Sequence, residues 1–91
     1  RELEAGLSVD PDNADAHYNL GGISSLHGRW AEAIRHYQAV LRMNHTDADA
    51  HWNLAIAYQN VGRWNDALRE YEAAAALGSP DARELLAQMG R

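Results

Sequence analysis

The side chains able to do chemistry in this sequence are five histidines, a Ser24-Ser25 pair near His27, the acids Glu70 and Glu72, and a set of carboxamides that recurs at a fixed interval. The histidines invite a metal. His17 and His51 each follow an aspartate, Asp15 and Asp49, by two residues, which sets acid and imidazole on different faces of a helix. No two histidines stand at i, i+4 and there is no HExxH, so they read as structural and no metal is expected. Ser24 and Ser25 gain no oriented base or oxyanion donor from a helical spacing. Glu70 and Glu72 read as a solvated face with Arg69 rather than as paired catalytic carboxylates. Gly21-Gly22 falls inside a helical stretch, where it permits close packing or a kink rather than cradling a phosphate. These residues predict neither an active site nor a cofactor.

What does recur is larger than any of these groups. Asp15-Ala-His-Tyr-Asn-Leu returns as Asp49-Ala-His-Trp-Asn-Leu, 34 residues on. Laying 14–47 over 48–81 gives 14 identities in 34 pairs, among them Asn19/Asn53, Gly28/Gly62, Trp30/Trp64, Ala33/Ala67 and Tyr37/Tyr71. A period in this range is the signature of stacked helical hairpins, an all-α solenoid in which each layer touches only its neighbours.

Bulk properties narrow the partners. The chain has 91 residues, a net charge of −5, no cysteine, and arginine as its only strongly basic side chain. An acidic chain without a basic block is a poor ligand for nucleic acid or an anionic membrane. No apolar run approaches the roughly 20 residues of a membrane span. Disulfides and thiolate metal sites are excluded, which leaves the redox compartment open. The absence of an initiating Met, and an opening Arg1-Glu2-Leu3-Glu4 already helical in character, read as a piece of a longer protein.

The elements that position the repeating residues follow from apolar spacing and punctuation. Leu3, Leu7 and Val9 lie close to helical spacing before Pro11 stops the chain. Asn13 then caps a helix over 14–27 whose buried face is Ala16, Leu20 and Ile23, and Gly28 ends it. Trp30 to Met43 forms the next helix, with Ala33, Ile34, Tyr37, Val40 and Leu41 inward. The second unit repeats this. Asp47 caps a helix over 48–61 lined by Ala50, Leu54, Ala57, Tyr58 and Val61, and Gly62 stops it. Trp64, Ala67, Leu68, Tyr71 and Ala74 line a helix to about Leu77. Gly78-Ser79-Pro80 is a stop and restart, and a last helix over about 80–89 turns Leu85, Leu86 and Met89 inward and Glu84, Gln88 and Arg91 to water. Connections of two or three residues make the helices of each pair antiparallel neighbours. Gly21 with Ala55, Ala33 with Ala67, and Ala74 mark close crossings. Trp30 and Trp64 are expected to pack between hairpins, and Arg29 and Arg63 to be solvated.

These residues resemble the tetratricopeptide repeat. Its pattern is matched by Trp52, Leu54, Ala55, Tyr58, Gly62, Trp64, Ala67, Tyr71 and Ala74, and in the first unit by Tyr18, Leu20, Gly21, Gly28, Trp30, Ala33 and Tyr37. Ser24 departs from it where an aromatic is usual, Val40 where Ala is, His17 and His51 at the tryptophan position, and His45 at the closing proline. The resemblance implies a right-handed superhelical stack forming one domain over 1–91. In it, 1–13 ends a preceding repeat, 14–47 and 48–81 are repeats, and 80–91 is a C-terminal capping helix.

The resemblance also implies that the first helix of each hairpin lines a concave groove that binds an extended peptide or a partner helix. Helical spacing assigns Asp15, Tyr18, Asn19, Gly22, Ser25 and Leu26 to that face, and Asp49, Trp52, Asn53, Ile56, Gln59 and Asn60 to the matching one. Paired Asn19 and Asn53 resemble the asparagine ladder of the repeats in O-GlcNAc transferase, which holds peptide backbone; repeat-to-repeat hydrogen bonding is the other reading of the same pair. The family's carboxylate clamp for acidic chain ends needs cations, and this face carries Asp15 and Asp49 instead, so a neutral or basic ligand is expected. Both aspartates also suit the first turn of a helix, where a negative charge is worth ~0.3–1 kcal/mol. The function expected is a non-catalytic protein–protein interaction scaffold. The alternatives are end-to-end self-assembly through open solenoid ends, and a substrate-recruiting segment of a larger enzyme.

Overall fold

A computed structural model describes residues 13–90. The helical reading of Leu3, Leu7 and Val9, the stop at Pro11 and the placement of Arg91 lie outside the described residues. Within them the chain forms five α-helices and no strand: α1 (Ala14–Leu26), α2 (Trp30–Met43), α3 (Ala48–Asn60), α4 (Trp64–Ala76) and α5 (Pro80–Gln88). Each helix packs on its neighbours in the chain, α1 on α2, α2 on α3, α3 on α4 and α4 on α5. The molecule measures 50 × 24 × 16 Å, the proportions of a stack rather than a sphere.

The helix boundaries follow from local chemistry. Three helices open on a side-chain cap: Asn13 Oδ1 accepts from the Ala16 amide at 3.0 Å, Asp47 Oδ1 from Ala50 at 3.0 Å, and Ser79 Oγ from Ala82 at 3.2 Å. Each such cap contributes ~1 kcal/mol. The cap recurs after 34 residues and then after 32, because α4 and the turn before α5 are each one residue shorter than α2 and the turn before α3. The hairpin turns close in one way twice. Gly28 (φ +73°) donates to Ser25 and Arg29 to Ser24, at 3.0 and 2.8 Å. Gly62 (φ +81°) donates to Gln59 and Arg63 to Tyr58, at 3.1 and 2.9 Å. This pairing satisfies the last carbonyls of the helix and needs a left-handed residue, which glycine supplies without a Cβ penalty.

The core runs down the stack as Ile34, Tyr37, Leu54, Tyr58, Tyr71 and Leu86, with alanine wherever helices cross. Ala33, Ala55, Ala67 and Ala74 are fully sealed, and Leu54 and Val40 are the largest side chains wholly removed from water. Burying each of those two stabilises by about 1.5–3 kcal/mol. Gly21 is buried because a Cβ there would stand 2.8 Å from the Tyr37 ring.

Four residues assigned inward are exposed. Ile23 is 54% exposed, whereas its equivalent Ala57 is sealed, since α3 packs closely on both α2 and α4 while α1 packs closely on α2 alone among the described residues. Val61 and Met89 are the C-caps of α3 and α5, past the last turn that faces the core. Trp64 is 58% exposed where Trp30 is half-buried against the core, because the layer beyond Trp64 is the nine-residue α5 instead of a full-length helix.

Candidate functional site

The ten residues assigned to the groove lie on α1 and α3. Asp15, Asn19, Gly22, Asp49, Gln59 and Asn60 are exposed, and Tyr18, Trp52, Asn53 and Ile56 are half-buried. The aromatics are fixed by the following helix. Tyr18 meets the Tyr37 ring edge-on with centroids 5.7 Å apart, and Trp52 meets Tyr71 in the same way at 5.1 Å. Such pairs contribute ~0.5–1.5 kcal/mol beyond their area. Tyr71, on the second helix, is tied in turn to the end of the first: it donates to Gln59 Oε1 at 2.7 Å. Gln59 therefore faces solvent with its carbonyl already engaged.

The two asparagines are not equivalent. Asn53 Nδ2 donates to the Tyr18 hydroxyl at 2.9 Å, across the boundary between units, and to the Asp49 carbonyl at 3.0 Å. Asn19 is exposed and makes no such bond. Repeat-to-repeat hydrogen bonding thus describes Asn53, and of the two it is Asn19 whose carboxamide has no partner among the described residues. Asn60 Nδ2 donates to the Ile56 carbonyl one turn back, at 2.8 Å.

Two concavities open on this side. Asp15, Tyr18, Asp47 and Asp49 line one of about 270 Å³ between α1 and α3. Trp52 with Asp81, Glu84, Leu85 and Gln88 lines one of about 230 Å³ between α3 and α5. The four residues from α5 were not foreseen. Counting from the caps at Asn13, Asp47 and Ser79 aligns Asp81 with Asp49 and Asp15, but a search at a fixed 34 residues steps past that register. Burial, then the charge of Asp49, raise the Tyr18 phenol above its ordinary pKa. A third concavity, of about 350 Å³ and lined by Trp64, Leu68, Leu85 and Met89, is apolar.

Outside this face the polar groups answer one another. His51 Nδ1 donates to Glu70 at 2.6 Å, so Glu70 is not the solvated acid the sequence predicts. The equivalent pair in the first unit is His17 with His36, Nδ1 to Nδ1 at 3.0 Å. Arg63 bonds Asp66 at 2.7 Å and lies 4.6 Å over the Tyr58 ring, and Arg69 bonds the same Asp66; Arg63 is exposed, as expected, while holding both contacts. Among the described residues no three of His, Asp and Glu come together as metal ligands, and no helix is long and apolar enough to cross a membrane.

Family models of the tetratricopeptide repeat match residues 1–41, 27–62 and 48–79. Among solved structures, the crystal structure of MamA is similar, with a TM-score of 0.74 and 28% identity over 76% of this chain; the match spans 40% of that chain. No curated protein matches the sequence significantly.

Proposed function

Because the chain belongs to the tetratricopeptide repeat family, we propose that it is a non-catalytic interaction segment that holds an extended peptide along the face shared by α1, α3 and α5. In this reading residues 14–47 and 48–81 are the repeats, 1–13 close a preceding one, and the last helix caps the stack. The observation that carries the reading is the pair of adjacent concavities, each with an aromatic ring held by the next helix. A rigid aromatic buries area at little entropic cost, and the Asn19 carboxamide, exposed and without a partner among the described residues, can both donate to and accept from a peptide unit. Acidic ligands of the clamp type do not suit a face lined with aspartates. So short a groove supports weak binding, about micromolar to millimolar. The test is an NMR titration of the chain with a library of extended peptides. Shifts clustered on Tyr18, Asn19, Trp52 and Ile56 support the reading; shifts confined to α2 and α4 sink it.

A second reading, association of two copies end to end, is favoured by one observation. The apolar concavity at Trp64 and Met89 is open, while α1 exposes Ile23 and Leu26, the latter at 83%. Sedimentation across a concentration series separates a reversible dimer from a monomeric binder.

A further inference from the structure

We propose that this face takes an extended segment carrying two cationic side chains three residues apart, one seated in each of the two polar concavities. The inference rests on the peptide-binding reading above and adds the chemistry of the ligand. The two concavities share an aromatic ring of the first helix and a first-turn aspartate of the next one. Counted from the helix caps, Asp15, Asp49 and Asp81 hold the same position in α1, α3 and α5. Tyr18 is therefore flanked by Asp15 and Asp49, and Trp52 by Asp81 and Glu84.

Three of these four carboxylates are unanswered, and Glu84 accepts only from Gln88 one turn on, at 3.4 Å. Asp15, Asp49 and Asp81 have neither an ion-pair nor a side-chain hydrogen-bond partner among the described residues. Acids elsewhere are matched: Asp66 holds Arg63 and Arg69, and Glu70 holds His51. Among the described residues no arginine lines either concavity. An aromatic ring beside carboxylates is the environment that suits a guanidinium or ammonium group, whose charge the ring attracts and whose N–H groups the carboxylates accept.

The spacing follows from the stack. The Asn53–Tyr18 bond sets α1 beside α3 and the second concavity sets α3 beside α5, and helices side by side lie about 8–10 Å apart. A polyproline-II strand rises about 3.1 Å per residue with three residues per turn, so side chains at i and i+3 leave one side about 9 Å apart. A segment of the form Arg-x-x-Arg in that conformation reaches both concavities.

The test uses the 91-residue chain. Its probe is a short proline-rich peptide with arginines at i and i+3, and it is compared with a peptide of the same composition whose arginines are adjacent and with one whose arginines are glutamines. Anisotropy gives affinity and NMR gives the site. The spaced peptide is expected to bind about tenfold more tightly than either control, to shift Tyr18, Trp52 and Asp81, and to weaken as salt rises. Asp49→Asn and Glu84→Gln are each expected to remove much of that preference while leaving the melting temperature in place. Equal binding of the glutamine peptide on the same face overturns the cationic ligand and leaves the groove. Equal binding of the adjacent-arginine peptide, or wild-type affinity in both variants, overturns the two-site arrangement. Absence of shifts on this face with peptides of any charge overturns the groove reading itself.

Discussion

Asn53 donates its carboxamide to the Tyr18 hydroxyl at 2.9 Å, and this bond ties the first helix of one hairpin to the first helix of the next. It makes two residues at equivalent positions unequal. Asn53→Ala is expected to lower stability by about 0.5–1.5 kcal/mol, the net worth of such a bond, whereas Asn19→Ala leaves it unchanged. Urea denaturation of the two variants checks this. Equal midpoints would show that the Tyr18 contact contributes nothing to the stack.

The closest crossing predicts the opposite of helix propensity. Gly21→Ala should gain about 1 kcal/mol in a helix interior. Its Cβ would meet the Tyr37 ring at 2.8 Å, and that ring is 3% exposed and edge-on to Tyr18. Overpacking against a buried ring costs about 1–3 kcal/mol, so the variant is expected to melt lower. A higher melting temperature would mean that the ring moves freely.

The helices were legible because their signals are local: Asn13, Asp47 and Ser79 cap, Gly28 and Gly62 turn, and alanine recurs wherever helices cross. What escaped depends on the neighbouring layer. Ile23 and Trp64 obey the same spacing as Ala57 and Trp30, yet remain exposed because the helix that would cover each is absent among the described residues or is short. The polar pairings were hidden for a related reason. His51 and Glu70 are 19 residues apart, and nothing in helical periodicity within α3 or α4 brings them to 2.6 Å. The α5 side of the candidate site was missed because a two-residue contraction before Ser79 shifts its register.

Ser79 joins the last layer to the rest. It is 9% exposed, caps α5 through Ala82, and its amide closes the turn on Ala74 at 3.0 Å. Ser79→Ala is expected to cost about 0.5–2 kcal/mol. The loss should fall on α5 first, seen as faster hydrogen exchange at Leu85 and Leu86 than at Leu54. Uniform acceleration across the chain would show that the five helices unfold as one unit.

Acid sensitivity is expected at the contact of α1 with α2. Burial, then the neighbouring His17 and Arg35, hold His36 below its ordinary pKa, with Glu32 opposing them. In the unfolded chain His36 takes a proton near its ordinary value of about 6.5, and in the folded chain only at lower pH. Between those values the unfolded state binds more protons, so stability falls as pH falls through that window, while above it His36 contributes no pH dependence. The geometry agrees: the two Nδ1 atoms stand 3.0 Å apart, a contact one shared proton satisfies and two protons oppose. His36→Gln is therefore expected to flatten the fall in melting temperature between about pH 7.5 and 5. An unchanged slope in that variant would place the acid response elsewhere and leave the His17–His36 contact without a part in it.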